Sequence, residues 1–221
     1  MTSKRKSRGT LRDAPKRIGP IIEKLKAQYP DAHCELDHQE PLQLLVATIL
    51  SAQCTDVRVN KVTKSLFKKY QTVKDYAEAN PEEFQEDIRS TGFFRNKTKS
   101  ILSMAQDLVE KHSGEVPDTM EELVALPGVG RKTANVVLGN AFGKNEGVVV
   151  DTHVTRISNK LKLTNKNDAV KIEQDLVKLV PRDDWALFSH LLIWHGRDIC
   201  PARRPRCEIC PLNNLCPGAD L

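Results

Sequence analysis

The stretch Leu126–Val154, LPGVGRKTANVVLGNAFGKNEGVVVDTHV, contains the clearest structural pattern in the chain. Within it, Pro127 ends an amphipathic run, Gly128 and Gly130 follow, and a new helical pattern begins at Arg131. This order predicts a helix, a tight hairpin and a second helix, because glycine permits a left-handed backbone and the close approach of a ligand. The unpaired N–H groups at the start of the second helix make the hairpin a suitable place for a phosphate.

Two polar residues of this stretch are candidates for catalysis. Lys132 lies in the first turn of the second predicted helix, and Asp151 precedes the next helical pattern, where it can also cap that helix. The phosphate loop of nucleotide hydrolases is excluded, since it needs glycine directly before the lysine and again five residues earlier. This chain has Arg131 and Leu126 there, and a dinucleotide-binding fingerprint would need a βαβ setting. A purely structural helix turn is the remaining alternative to a phosphate-binding hairpin.

Nearly every other periodic segment has the helical period. Pro41 opens an apolar segment, LQLLVATILSAQ, which we expect to be central and buried. Asn80 is a predicted helix cap, and Asn167 and Asp183 are predicted caps for two helices near the C-terminus. Val148–Val150 is too short to identify a strand. The pattern predicts an all-α protein with about ten helices.

The positive charge is concentrated at the N-terminus. The net charge is +5, and residues 1–17 alone contribute +6, which leaves residues 18–221 nearly neutral. We expect residues 1–14 to form a disordered basic tail that attracts polyanions, although a solvated tail without function is an equal alternative. The tail lacks the apolar part of a secretory signal, and an organellar transit peptide stays open. A run of about 18 apolar residues does not occur, so we expect no membrane span.

Four of the six cysteines form a cluster with the spacing C-x6-C-x2-C-x5-C, at Cys200, Cys207, Cys210 and Cys216. Without a secretory signal, six cysteines indicate a reducing, intracellular setting, in which clustered thiols hold metal more often than they form disulfides. Four thiolates suit a tetrahedral zinc ion or a [4Fe-4S] cluster. Zinc sites usually contain two close pairs of ligands, and here only Cys207 and Cys210 are close. The spacing favours iron–sulfur, with zinc or two disulfides as alternatives. We interpret His190 and His195, also in the C-terminal part of the chain, as packing or capping groups.

The segments LPGVGRKTA, VDTHV and LSAQCTD, together with the cysteine spacing, resemble the endonuclease III family of helix-hairpin-helix DNA glycosylases and lyases with an iron–sulfur cluster. The similarity covers roughly residues 15–217. It implies two helical domains, namely a central six-helix domain over residues 37–146 and a cluster domain formed by residues 15–36 and 147–221. It also implies a [4Fe-4S] cofactor on the four cysteines, whose main role we expect to be the folding of the loop.

The resemblance implies base excision repair, with removal of oxidised or ring-saturated pyrimidines and strand cleavage 3′ to the abasic site by β-elimination. Lys132 is then the amine that forms a Schiff base with C1′ of the sugar, and Asp151 is the carboxylate that assists. The amine attacks only in its neutral form, so we expect a site that disfavours its positive charge. A helix N-terminus supplies only about 1 kcal/mol, and burial should therefore contribute most.

The resemblance also implies the residues that contact DNA. Gln53 would fill the space left by the extruded nucleotide, and Phe93 would wedge into the base stack, at a position where the family often has leucine. Phosphates would bind the N–H groups of Gly128 and Gly130 and three arginines of the cysteine loop, Arg203, Arg204 and Arg206. The alternatives are a surface glutamine, an aromatic side chain packed on the core, and solvated loop charges.

Two other functions remain as alternatives. A mispair adenine glycosylase shares the cluster and the aspartate but lacks a lysine at the attacking position, which Lys132 occupies here. A non-catalytic helix-hairpin-helix module held together by zinc is the second. We expect the partner to be double-stranded DNA that contains damaged pyrimidines or abasic sites, and no membrane association. We further expect a monomer in the cytoplasm or nucleoid of a prokaryote.

Overall fold

A computed structural model describes residues 9–219 of the chain. These residues contain eleven α-helices and four short 3-10 helices, and no strand. The all-α prediction is confirmed, and Val148–Val150 is extended backbone outside any sheet. In chain order the helices are α1 (Ala14–Gln28), α2 (Pro41–Leu50), α3 (Asp56–Lys69), α4 (Val73–Ala77), α5 (Pro81–Ile88), α6 (Phe94–Lys111), α7 (Met120–Ala125), α8 (Arg131–Ala141), α9 (Thr152–Lys160), α10 (Ala169–Leu176) and α11 (Trp185–Arg197).

The chain divides into two compact units. The central unit is Cys34–Glu146 and contains α2 to α8, and the terminal unit comprises the described parts of Met1–His33 and Gly147–Leu221. The central unit has seven α-helices where the resemblance implied six. The shortest of them, α4, is five residues long, and Thr72 and Asp75 hold its start in a reciprocal capping arrangement.

Helix α2 is the centre of the core of the central unit, as its apolar sequence predicts. Leu44, Leu45 and Leu50 are completely buried, and α2 packs against α3, α6 and α8. Burial of each leucine side chain contributes roughly 1.5–3 kcal/mol. The long helix α6 also packs against α4 and α5, and it thereby connects these two helices to the core around α2.

Helix starts follow the local chemistry, with two corrections. Asn80 accepts hydrogen bonds from the N–H groups of Glu82 and Glu83, as predicted for the cap of α5. The predicted caps Asn167 and Asp183 are each wrong by one residue. Asp168 caps α10, because its carboxylate reaches the N–H of Lys171. Asp183 lies inside a 3-10 turn, Arg182–Asp184, which leads into α11.

The terminal unit is built around α1, which packs its apolar face against α11, and around α9, which also packs on α11. The buried Arg17 on α1 donates hydrogen bonds to the carbonyl oxygens of Leu161, Leu215, Thr10 and Lys162. One guanidinium thereby connects three separate stretches of backbone, at Thr10, Leu161–Lys162 and Leu215.

The expected disordered tail, residues 1–14, overlaps the described residues only at 9–14. There the structure differs from the expectation, because Leu11–Asp13 forms a 3-10 turn and α1 begins at Ala14. Thr10 and Asp13 hydrogen-bond to each other through backbone and side chain. Residues 1–8 of the expected tail lie outside the described residues. Between residues 9 and 219, no helix combines the length and the apolar character needed to cross a membrane.

Candidate active site and metal centre

The hairpin between α7 and α8 is confirmed as a helix-hairpin-helix in the central unit. Leu126 and Val129 are buried and anchor the turn in the core. Gly128 has φ +76°, and a Cβ atom there would lie 2.5 Å from the Cβ of Ser100 on α6. Gly130 has φ −95° and open space around it. Only Gly128 therefore requires glycine for its conformation and its packing, while Gly130 is the N-cap of α8.

Lys132 lies in the first turn of α8 and its side chain is exposed. We expected a buried amine, but in the protein without DNA the amine of Lys132 is exposed. The helix N-terminus is present beside it as predicted. Any further desolvation of this amine has to come from a bound ligand.

Asp151 belongs to the terminal unit and is the N-cap of α9. Its Oδ1 atom accepts a hydrogen bond from the backbone N–H of Val154 at 2.8 Å. The side chain is half-buried. The cap role that the sequence predicted is confirmed, and the hydrogen bond holds the carboxylate in one orientation.

A cavity of about 280 Å3 in the central unit brings several predicted DNA contacts together. Gln53, Phe93 and Gly128 all line it, along with Thr133 from the first turn of α8. Gln53 and Phe93 are exposed and both have left-handed backbone, with φ values of 53° and 48°. Phe93 is 61% exposed, so the alternative of an aromatic side chain packed on the core does not describe it.

Lys97 also lines this cavity, and the sequence analysis did not identify it. Its side chain is almost completely buried, and Nζ donates hydrogen bonds of 2.8 Å to the carbonyl oxygens of Leu50 and Thr91. Burial lowers the pKa of this lysine, and the nearby Cys54 opposes the shift. A signal was available, because Lys97 falls in helical phase with the buried Ile101 on α6.

The four cysteines of the loop line a single small cavity of about 20 Å3 in the terminal unit, and all four are free thiols. Its other walls are largely apolar, with Ile157, Leu161, Ile199 and Leu212. Burial, together with the nearby Cys216, Cys200 and Cys207, raises the pKa of Cys210 to about 11, against the opposing effect of a backbone hydrogen bond at Leu212. Four converging thiols with apolar walls fit a cofactor that binds through sulfur and supplies positive charge. Within residues 9–219, no group of three His, Cys, Asp or Glu side chains is spaced to hold a single metal ion, so the fit of the cofactor rests on the cavity that the four thiols share.

His195 lies next to this cavity and does more than the packing role expected of it. Its Nε2 atom is 3.6 Å from Sγ of Cys210, and its Nδ1 atom is 3.3 Å from the hydroxyl of Tyr29. Tyr29 in turn donates a hydrogen bond to Asp198. Burial lowers the pKa of His195 to about 4, so the imidazole is neutral near pH 7.

The three arginines of the cysteine loop differ in their contacts. Arg203 and Arg204 are exposed, and Arg204 has φ +55°. Arg206 donates from Nη2 to the carboxylate and the carbonyl oxygen of Asp198. Its charge is therefore already paired, which makes it a weaker candidate for a phosphate contact than its two neighbours.

Two family models match the chain. The model for the HhH-GPD superfamily base excision DNA repair protein covers residues 46–182, and the iron–sulfur binding domain of endonuclease III covers residues 200–216. An endonuclease III from Synechocystis sp. is 55% identical over 92% of this chain and 93% of the relative. The Bacillus subtilis endonuclease III is 48% identical over 91% of this chain and 92% of the relative.

Solved structures of DNA repair proteins also resemble this chain. A non-covalent endonuclease III–DNA complex is 45% identical, with a TM-score of 0.88 over 93% of this chain and 96% of that chain. A thermostable thymine-DNA glycosylase, at 23% identity and a TM-score of 0.84, shares the fold over 94% of this chain and 98% of that chain.

The hairpin and the cysteine loop, together with these matches, define a helix-hairpin-helix DNA repair protein with an iron–sulfur domain. The chain belongs to the endonuclease III family. It is a DNA-binding enzyme of base excision repair, a DNA N-glycosylase with AP lyase activity. Its cofactor is a [4Fe-4S] cluster, which would be held by the four cysteines and, when bound, supplies iron–thiolate bonds that fold the loop.

Proposed function

We propose that this enzyme excises oxidised or ring-saturated pyrimidines from double-stranded DNA and then cleaves the strand 3′ to the abasic site by β-elimination. The observation that carries the proposal is Lys132, an exposed amine in the first turn of the helix that follows the DNA-binding hairpin. A relative of 45% identity has been described as a trapped endonuclease III–DNA covalent intermediate, which is the type of complex that such an amine forms.

Lys132 attacks C1′ of the extruded nucleotide through its free amine. The C1′–N bond to the base breaks, and the base leaves with the electron pair and takes up a proton. Loss of a proton from the new amine and opening of the sugar ring give a Schiff base. Removal of a C2′ proton then expels the 3′ phosphate, which cleaves the strand. Because Lys132 is exposed in the protein, bound DNA provides the desolvation that the neutral amine requires.

Asp151 supports both steps as a carboxylate. Its Oδ1 atom is engaged by the N–H of Val154, and the second oxygen is left for the sugar or the attacking amine. A carboxylate there stabilises positive charge that develops on the sugar as the base departs. It also accepts a proton from the amine. The cap fixes the direction of the side chain, so one hydrogen bond serves both the helix and the reaction.

Gln53 and Phe93 act on the DNA stack, Gln53 as the residue that fills the vacated space and Phe93 as the wedge. This role is supported by their exposure and by the cavity that both line. The N–H groups of Gly128 and Gly130 bind a phosphate, and Arg203 and Arg204 add charge from the cysteine loop.

The enzyme acts as a monomer on chromosomal DNA in the cytoplasm or nucleoid of a prokaryotic cell. The relatives from Synechocystis sp., Bacillus subtilis and Escherichia coli support a bacterial setting. Gel filtration with light scattering tests the monomer.

The substrate proposal is tested with the cluster-loaded protein and a panel of duplexes, each with one lesion. Thymine glycol, dihydrouracil and an abasic site should give strand cleavage and a borohydride-trapped adduct. A duplex with adenine opposite 8-oxoguanine is the control for a mispair adenine glycosylase. It should keep its adenine, measured as the absence of strand breaks after hot alkali, because an enzyme without the attacking lysine leaves the strand uncleaved. Adenine release from that control without an adduct on any oxidised pyrimidine would overturn the proposal.

A further inference from the structure

The buried ammonium of Lys97 connects two turns of the central unit. One acceptor, the carbonyl oxygen of Leu50, belongs to the last residue of α2, and the other belongs to Thr91 in the 3-10 turn Arg89–Thr91. Both distances are 2.8 Å. The negative end of the α2 dipole lies at Leu50, so a positive charge is favoured there. Hydrogen bonds from an ammonium are about twice as strong as those between neutral groups.

The two turns that Lys97 connects carry the two residues proposed to enter the DNA stack. Gln53 follows Leu50 by three positions, and Phe93 follows Thr91 by two. Within residues 9–219, the backbone hydrogen bonds of these two turns are local, as in that from the Cys54 N–H to the Ser51 carbonyl oxygen, and none joins one turn to the other. The side chain of Lys97 makes that connection, through the carbonyl oxygens of Leu50 and Thr91.

Both stack-entering residues sit in an unfavourable backbone conformation. Gln53 has φ 53° and Phe93 has φ 48°. Left-handed backbone is unfavourable for a residue with a side chain, and it persists only where the surroundings hold it. An apolar side chain in place of Lys97 would satisfy the core, but it would leave both carbonyl oxygens without this donor.

We propose that Lys97 is a positioning residue that fixes Gln53 and Phe93 relative to each other, so that both enter the base stack together when a damaged nucleotide is extruded. The inference rests on the proposed roles of Gln53 and Phe93. Lys97 itself touches neither the substrate sugar nor the departing base in this scheme. It acts through the Leu50 and Thr91 carbonyl oxygens.

The test compares Lys97→Met, which keeps the length of the side chain but removes all donors, with the wild-type enzyme in the cluster-loaded form. Single-turnover excision of thymine glycol is measured in a paired duplex and in a bulge where the base is already unstacked. The variant should lose roughly tenfold to hundredfold of the rate on the paired lesion and much less on the bulged one. A 2-aminopurine next to the lesion should lose its fluorescence rise on binding.

Leu108→Ala, a core substitution near the other end of α6, is the control for simple loss of stability, and it should leave the paired-to-bulged ratio unchanged. Lys97→Arg keeps the charge but changes the reach of the donors, and it should shift the ratio in the same direction as Lys97→Met. If Lys97→Met does not fold, Lys97→Arg is compared with the wild-type enzyme instead.

Gln53→Ala and Phe93→Ala separate failure of this inference from failure of the proposed function. If both lower the ratio and the fluorescence signal while the Lys97 variants leave them unchanged, the positioning role is wrong and the stack-entering residues stand. If Gln53→Ala and Phe93→Ala also leave the ratio and the fluorescence signal unchanged, the roles proposed for Gln53 and Phe93 in the base stack are wrong, and the inference is overturned with them.

Discussion

The carboxylate of Asp151 accepts a 2.8 Å hydrogen bond from the backbone N–H of Val154, and this candidate catalytic residue is thereby the N-cap of α9. A change that removes the carboxylate can alter folding and catalysis together. The two contributions can be separated, because asparagine caps helices as well as aspartate does but carries no charge.

We expect Asp151→Asn to fold normally and to lose roughly 10²- to 10⁴-fold in the single-turnover rate of base release, because the charge is lost while the cap is kept. Asp151→Ala should show the same loss of rate and, in addition, about 1 kcal/mol lower stability. Quench-flow on a thymine-glycol duplex and chemical denaturation measure the two effects. A wild-type rate for Asp151→Asn would leave the residue with its cap role alone.

Lys132→Gln should abolish the borohydride-trapped adduct, because the amide cannot form a Schiff base. Folding should be unaffected, since the side chain is exposed. Lys64→Gln, at another exposed lysine of the central unit, is the matched control and should form the adduct at wild-type yield. Wild-type adduct from Lys132→Gln would show that a different amine attacks.

The two hairpin glycines should respond differently to alanine. Gly128→Ala combines left-handed backbone with a Cβ 2.5 Å from Ser100, and should cost at least about 1–3 kcal/mol of stability. Gly130→Ala has ordinary backbone and open space, and its cost should be only that of alanine at an N-cap, roughly 0.5–1 kcal/mol. Thermal unfolding of both variants measures this. Equal losses of stability in the two variants would contradict the conclusion that only Gly128 requires glycine.

Much of this fold follows from local patterns in the sequence. Asn80 and Asp151 cap their helices as predicted, because a cap depends on groups two or three residues away. The error at Asn167 has the same origin, since two neighbouring residues could both serve and only geometry selects Asp168. Buried α2 was also predictable, because it is apolar nearly all round.

The site was less predictable, because its parts depend on contacts between distant residues. Lys97 binds the Leu50 carbonyl oxygen, 47 positions away, and His195 lies beside Cys210, 15 positions away. Nothing in the sequence pairs these groups. The exposure of Lys132 was mispredicted for a related reason, since burial of a first helical turn depends on what packs against the hairpin.

Acid should destabilise the protein through His190. Burial, and secondarily the positive charge of His33, lowers its pKa to about 4 from an ordinary value of 6.5. A folded-state pKa below the unfolded one means that the contribution is fully present above pH 6.5 and is lost as the pH falls toward 4. The loss at pH 4 is about 3 kcal/mol. His190→Gln should remove this part of the pH dependence of thermal unfolding, and an unchanged slope between pH 6.5 and 4 would contradict it.

The N-terminal basic residues should contribute to the affinity for DNA. Residues 1–8 contain Lys4, Arg5, Lys6 and Arg8, and deleting them should lower the salt slope of non-specific duplex binding by at most about 3 to 4, because each phosphate contact contributes about 0.9. A deletion through residue 14 should also lower the melting temperature, since the Thr10 carbonyl oxygen accepts a hydrogen bond from the buried Arg17. Alanine at Thr2, Ser3 and Ser7 is the control with unchanged charge. A wild-type slope after deletion of residues 1–8 would show that these charges do not contact the duplex.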